Sequence, residues 1–281
     1  RSMNQTLAGP RLPPELERQI FELCACTRPV AIPKLMLVAW RVKEWIEPLL
    51  YHTIMVCQST PVDGYHSLTP ETLTALLRLK PADFFRDSVR NLLLHAVSQS
   101  VVASVLAVCT GVENLWAPMA SSVLSPTTGL PLKHLYTNFS PLFEGVHPVD
   151  PLFSQLTHLE LIGVANVGVD IPSILSLLPK LSHLAFNDEE FTPHCPGVLE
   201  QCKSLAVLVS LGNPLVPGMA FHEYEQDLSK DIRFVVLFSS WFKDWQMGAR
   251  SNSDYWLRAE NFIAQRRSGA IDAAQYEFLD D

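Results

Sequence analysis

Three histidines, His134, His158 and His183, recur 24 and 25 residues apart, each directly before a leucine. Neutral imidazole is a good metal ligand, and its pKa lies closer to neutrality than that of any other unperturbed side chain. Two residues after His134 and His158 stand Tyr136 and Glu160, and Trp116 takes the same place two residues after Asn114 in the preceding segment. Convergent imidazoles with a carboxylate can bind zinc or exchange protons. Histidines beside tryptophan and tyrosine can instead anchor a partner. The elements that carry these residues decide between the two.

The segments VRNLLL, VENLWA, LKHLYT, LTHLEL, LSHLAF and LAVLVS share the order apolar-x-x-Leu-x-variable. They begin at Val89, Val112, Leu132, Leu156, Leu181 and Leu205, at intervals of 23, 20, 24, 25 and 24 residues. A poorer copy, IRFVVL, begins 27 residues later at Ile232. Helix-like stretches such as SVVASVLAVCTG, IPSILSLLPK and CPGVLEQCKS lie between copies. One strand and one helix in a period of about 20–29 residues is the signature of a leucine-rich repeat. A single unit cannot bury its apolar faces alone, whereas stacked units form a continuous core. The fold class expected is therefore α/β, a solenoid with a parallel sheet. Strands are predicted near residues 90–94, 113–117, 133–137, 157–161, 182–186 and 206–210, paired in chain order.

Side chains alternate along a strand, so the residues flanking each central leucine point away from the core. This puts Asn91, Asn114, His134, His158, His183 and Val207 in one row on the concave face. Neighbouring rungs are about 5 Å apart. A ladder of that kind does not by itself supply tetrahedral geometry, so no metal site is assigned. The expectation is an open ligand or partner surface made of Trp116, Tyr136, His134, His158, His183 and Glu160.

The bulk numbers narrow the function classes. A net charge of -8 argues against nucleic acid as a partner. The 48% apolar and 18% charged composition is that of a cored protein. No apolar run suits a bilayer, and no signal-type apolar leader heads the sequence, so no membrane partner is expected. Six cysteines at irregular spacing read as reduced thiols, which implies an intracellular protein, cytoplasmic or nuclear. No nucleophile elbow, phosphate loop, metalloprotease or dinucleotide motif is found, so neither enzyme activity nor a cofactor is expected.

The N-terminal segment LPPELERQIFEL begins an amphipathic helix, with prolines that suit a first turn and an apolar stripe of Leu16, Ile20 and Leu23. Leu35, Val38, Val42, Trp45, Ile46 and Leu49 are read as a second helical face, bent or broken by Pro48. YHTIMV reads as a strand, and Thr69-Pro70 as a helix start. With repeats behind it, LPPELERQIFEL…LMLVAW…LLYHTI resembles an F-box. The whole chain is similar to an expanded F-box-like family of mushroom-forming fungi. That resemblance implies a substrate receptor of a cullin-type ubiquitin ligase. Leu12, Pro13, Leu16, Ile20, Leu37 and Val38 would meet a Skp1-like adaptor, and the repeats an unknown protein substrate or ligand.

The organisation expected is a flexible leader (1–11), an F-box-like helical segment (12–56), connecting helices (57–87), degenerate repeats (88–250), and a C-terminal helix and tail (251–281). That last helix, ended by Gly269, is expected to cover the open edge of the final repeat, with Arg266 and Arg267 in solvent. Two alternatives stay open. One is a stand-alone scaffold binding a protein or small molecule, and the other is an enzyme or metal site on the histidine row. The stripe of Leu16, Ile20 and Leu23 either faces an adaptor or caps the first repeat.

Overall fold

A computed structural model describes residues 12–57, 67–118, 124, 129–139, 142–143, 147–163, 169–212, 226–251 and 253–278. The leader expected at 1–11 lies outside them. Among the described residues, nine strands form one parallel sheet in which spatial order is chain order. They are β1 (Thr53–Val56), β2 (Asn91–Leu94), β3 (Asn114–Trp116), β4 (His134–Thr137), β5 (His158–Leu161), β6 (His183–Phe186), β7 (Val207–Gly212), β8 (Phe234–Phe238) and β9 (Glu277–Phe278). The six strands expected from the repeat are present in register, with Leu115, Leu135, Leu159 and Leu184 side by side. The sheet extends past the repeat register at both ends, with β1 before it and β9 after it.

The repeat pattern works through burial. Each copy's first residue, from Val89 to Leu205, and each central leucine, from Leu92 to Leu208, is at most 3% exposed. They join one core with side chains of the helices on the same face. Those helices are α4 (Pro70–Leu79), α5 (Ala82–Ser88), α6 (Gln99–Leu106), α7 (Ile171–Ser176), α8 (Cys195–Gln201) and α9 (Gln226–Lys230). Short helices hold here because tertiary packing, rather than propensity, stabilises them. Local signals set their starts: Thr69 accepts a hydrogen bond from the Thr72 amide, and Asp170 from that of Ser173.

Before the sheet come α1 (Pro14–Thr27), α2 (Ile32–Leu35) and α3 (Trp40–Leu50). They enclose a small core of their own, Ala25, Ile32, Val42 and Ile46, supported by Leu35, Trp45 and Leu49. The single helical face expected from Leu35 to Leu49 is interrupted between α2 and α3. Val38 therefore leaves the stripe and is 62% exposed. Pro48 is tolerated inside α3, two residues before its end.

Two helices follow β8: α10 (Trp241–Ser251) and α11 (Tyr255–Ser268). They do not cap the edge of the array, which is occupied by β9 paired to β8. Instead they lie across the concave face and build a second core there. Trp245, Tyr255, Trp256, Ala259, Phe262 and Ile263 pack with Leu93, Trp116, Tyr136, Ala185, Val209 and Val235. The spacing of Tyr255, Trp256, Ala259, Phe262 and Ile263 is that of a helix with one apolar face, and that face needs a broad surface rather than an edge. Asp254 caps the start of α11 through the Leu257 amide. Gly269 ends it in the left-handed region at φ 73°, where glycine has no side chain to collide with the backbone.

Candidate functional site

The concave residues are assembled as the repeat predicts, but of the six expected in an open surface only His134 and His158 keep partial exposure. Trp116, Tyr136, Glu160 and His183 are 4%, 3%, 2% and 7% exposed. Their polar atoms are largely engaged by α10 and α11. The Trp245 indole donates to Asn114 Oδ1 at 3.1 Å, and the Trp256 indole to the Tyr136 hydroxyl at 3.3 Å. The Tyr255 hydroxyl donates to Glu160 Oε2 at 2.6 Å, and His183 Nε2 pairs with Glu260 at 2.9 Å. The expected open surface is thus an intramolecular interface. Aromatic side chains with one polar atom serve either purpose, because each joins apolar area to a hydrogen-bonding tip.

His134, His158 and His183 do come together. Their rings stack face to face, with centroids 4.1 and 4.0 Å apart, and the Trp256 ring meets His158 and His183 edge-on. Burial is the main cause that lowers all three pKa values, to about 4 for His134 and about 2 for His158; neighbouring imidazoles lower those two further. At neutral pH the stack is uncharged and acts as a packed slab. Its nitrogens serve local bonds: His158 Nδ1 meets Thr157 Oγ1 and His183 Nδ1 meets Ser182 Oγ, both at 2.8 Å. Among the described residues, no three His, Cys, Asp or Glu side chains are placed to hold a metal ion. Glu160 is pushed the opposite way, up to about 7, chiefly by burial.

The other candidate is the N-terminal helical segment. Leu12, Leu16, Ile20 and Leu23 are 45%, 48%, 48% and 66% exposed, so the α1 stripe does not cap the first repeat. Leu37 and Val38, also expected at an adaptor contact, are 85% and 62% exposed, and Pro13 is exposed as the residue preceding α1. Val30 and Trp40 join them at 42% and 71% and were not foreseen, because no helical period includes them. Salt bridges flank this region without covering it: Arg41 pairs with Glu17 at 2.7 Å, tying α3 to α1. Of the large apolar side chains exposed among the described residues, these eight fall within residues 12–40 and only Leu79, Val149, Val169, Leu177 and Leu257 lie elsewhere.

No family model matches the chain, and no curated protein matches it. No helix among the described residues is long and apolar enough to cross a membrane.

Proposed function

We propose that the chain is an interaction protein of the F-box-like, leucine-rich-repeat type. In this reading α1–α3 dock a Skp1-like adaptor of a cullin-type ubiquitin ligase, and the repeats carry the recognition of a protein substrate. The observation that carries it is the exposed apolar set on α1 and the α2–α3 connection. The two cores of the repeat region cover their own apolar faces, whereas this segment leaves Leu16, Ile20, Leu23, Leu37, Val38 and Trp40 in solvent. A concentration of that kind marks a contact surface. A second reading, a stand-alone scaffold with no ligase role, is favoured by the burial of Trp116, Tyr136, Glu160 and His183 on the concave face, where a protein substrate would otherwise bind.

The test mixes the purified chain with a purified Skp1-type adaptor and measures complex formation by calorimetry and size exclusion. The parent is expected to bind, and Leu16→Glu with Ile20→Glu to abolish binding. The melting temperature of the double variant should stay close to the parent's, since both side chains are about half exposed. No complex with the parent would remove the adaptor reading and leave the scaffold.

A further inference from the structure

Two neighbouring cavities occupy the junction where α1–α3, the first strands and the end of α10 meet. One, of about 260 Å³, is mostly apolar and is lined by Ala25, Pro29, Ile32, Leu49, Leu50 and Met55. The other, of about 410 Å³, is polar and is lined by Arg90, Glu113, Asn114, Lys133, His134 and Asp254. His52 and Ala249 line both. Asn91 stands at this shared wall, with its amide 3.3 Å from His52 Nδ1 and donating to Thr53 Oγ1 at 3.1 Å and Ala249 O at 3.4 Å. An apolar hollow set beside a hydrogen-bonding one has the mix of surfaces of a small-molecule site.

The polar hollow selects the head of such a molecule by what it has left to offer. Its charges balance and are already engaged. Lys133 Nζ is 2.6 Å from Glu113 and Arg90 Nε 3.8 Å from the same carboxylate. Arg90 Nη1 also donates to Arg86 O and Val89 O, and Asp254 accepts from the Leu257 amide. Asn114 Oδ1 is taken by Trp245, while its amide N–H groups have no hydrogen-bond partner among the described residues, and Asn114 lines the hollow with His52 and His134. Burial keeps both rings uncharged at neutral pH. A charged head would have to break the Lys133–Glu113–Arg90 arrangement, whereas hydroxyl or amide groups can bond to the neutral floor and the rims of the ion pairs.

We propose that this junction binds an uncharged amphipathic small molecule, with its apolar part among Ala25, Ile32, Leu49 and Met55 and a hydroxyl- or amide-bearing head over Asn91, Asn114 and His134. Such a ligand would bridge the N-terminal helices and the helices that fill the concave face. The site is separate from the exposed side chains of Leu16 and Ile20, so it stands or falls independently of adaptor docking.

The test uses octyl glucoside below its micelle concentration, with octanoate and glucose as probes that carry the chain with a charged head and the head alone. Calorimetry on the full chain is expected to show octyl glucoside binding at least about tenfold more tightly than either. Ala249→Trp, which fills the shared wall, and Cys26→Trp, at an exposed position lining the apolar hollow, should each weaken it by about tenfold or more. Leu16→Glu with Ile20→Glu should leave it unchanged. Absence of octyl glucoside binding, or equal binding of octanoate, would overturn the proposal. Binding lost in the Leu16/Ile20 variant but kept in both tryptophan variants would also overturn it, placing the probe on the α1 face.

Discussion

Tyr255 and Glu160, 95 residues apart in the chain, share a 2.6 Å hydrogen bond inside the concave face, with the phenol donating to Oε2. The other oxygen, Oε1, has no hydrogen-bond partner among the described residues. An ionised carboxylate in that position gives up hydration that one hydroxyl does not replace, and this is why burial raises the Glu160 pKa from 4.5 to about 7.

The sign of the resulting pH dependence follows from linkage. A raised folded-state pKa means that the folded chain holds the proton more tightly than the unfolded one. The contribution of Glu160 is therefore fully present below about pH 4.5 and is lost as pH rises through about 7. Glu160→Gln keeps an acceptor for Tyr255 and never ionises. It is expected to match the parent near pH 4.5 and to exceed it by up to about 3 kcal/mol at pH 8. Denaturant titrations at the two pH values check this, and a difference independent of pH would contradict it.

The histidine stack has the opposite dependence. Its folded-state pKa values are depressed below 6.5, so the unfolded chain takes up protons first as the solution is acidified. Stability should fall from about pH 6.5 toward about pH 4, the window set by His134. Lys133 adds to the penalty on His134, while Glu113 and Glu260 reduce it at His134 and His183 respectively. His158→Phe retains a ring between its neighbours and removes the most strongly depressed site. Its acid unfolding midpoint is expected at lower pH than the parent's, read by tryptophan fluorescence; an unchanged midpoint would assign acid unfolding to other groups.

The strands were legible because the repeat makes the same demand at each copy: an apolar residue, two free positions, then leucine. Six such copies define order and register, and Leu115, Leu135, Leu159 and Leu184 take the places that the pattern predicts. What covers the concave face was not legible from those strands. Trp116, Tyr136 and His158 would suit a recognition surface as well as a buried one, since their types do not record whether the covering surface belongs to another molecule. The missing signal was at the far end of the chain, in Trp245, Tyr255, Trp256, Phe262 and Ile263. That run carries more apolar area than one strand edge can cover. The helix α1 could be read from proline and leucine spacing, but the break between α2 and α3 and the fate of Leu16 and Ile20 required coordinates.

Because the sheet is buried on both faces, substitutions on either side should destabilise. Leu159→Ala removes a fully buried side chain from the repeat core and is expected to cost about 2–5 kcal/mol. Trp256→Ala empties the position that touches His158, His183 and Tyr136, and should cost about 3–5 kcal/mol. Equilibrium denaturation of both variants tests the claim. A Trp256→Ala cost below about 0.5 kcal/mol, the range of ordinary surface changes, would mean that α11 is not held on the sheet in solution.

Arg266 provides the last test, since a charged residue near a helix C-terminus is ordinarily solvated and this one is 2% exposed. Its guanidinium donates to Phe234 O at 2.8 Å, Ile232 O at 3.2 Å and Ser229 O at 3.4 Å, and through two nitrogens to Ala273 O at 2.7 and 3.1 Å. Those carbonyls belong to α9, to the turn before β8, to β8 itself and to the segment leading into β9, so one side chain ties α11 to the end of the sheet. Only a planar fork of donors reaches all of them, and lysine offers a single nitrogen. Arg266→Lys is therefore expected to recover little of the loss caused by Arg266→Ala, which leaves buried carbonyls without donors and should cost about 3–5 kcal/mol. Hydrogen exchange adds a readout specific to position: the amide of Val236, which donates to Tyr276 O at 2.8 Å across to the final strand, should lose protection in both variants. Full protection at Val236 in Arg266→Ala would show that β9 is held to β8 without the guanidinium.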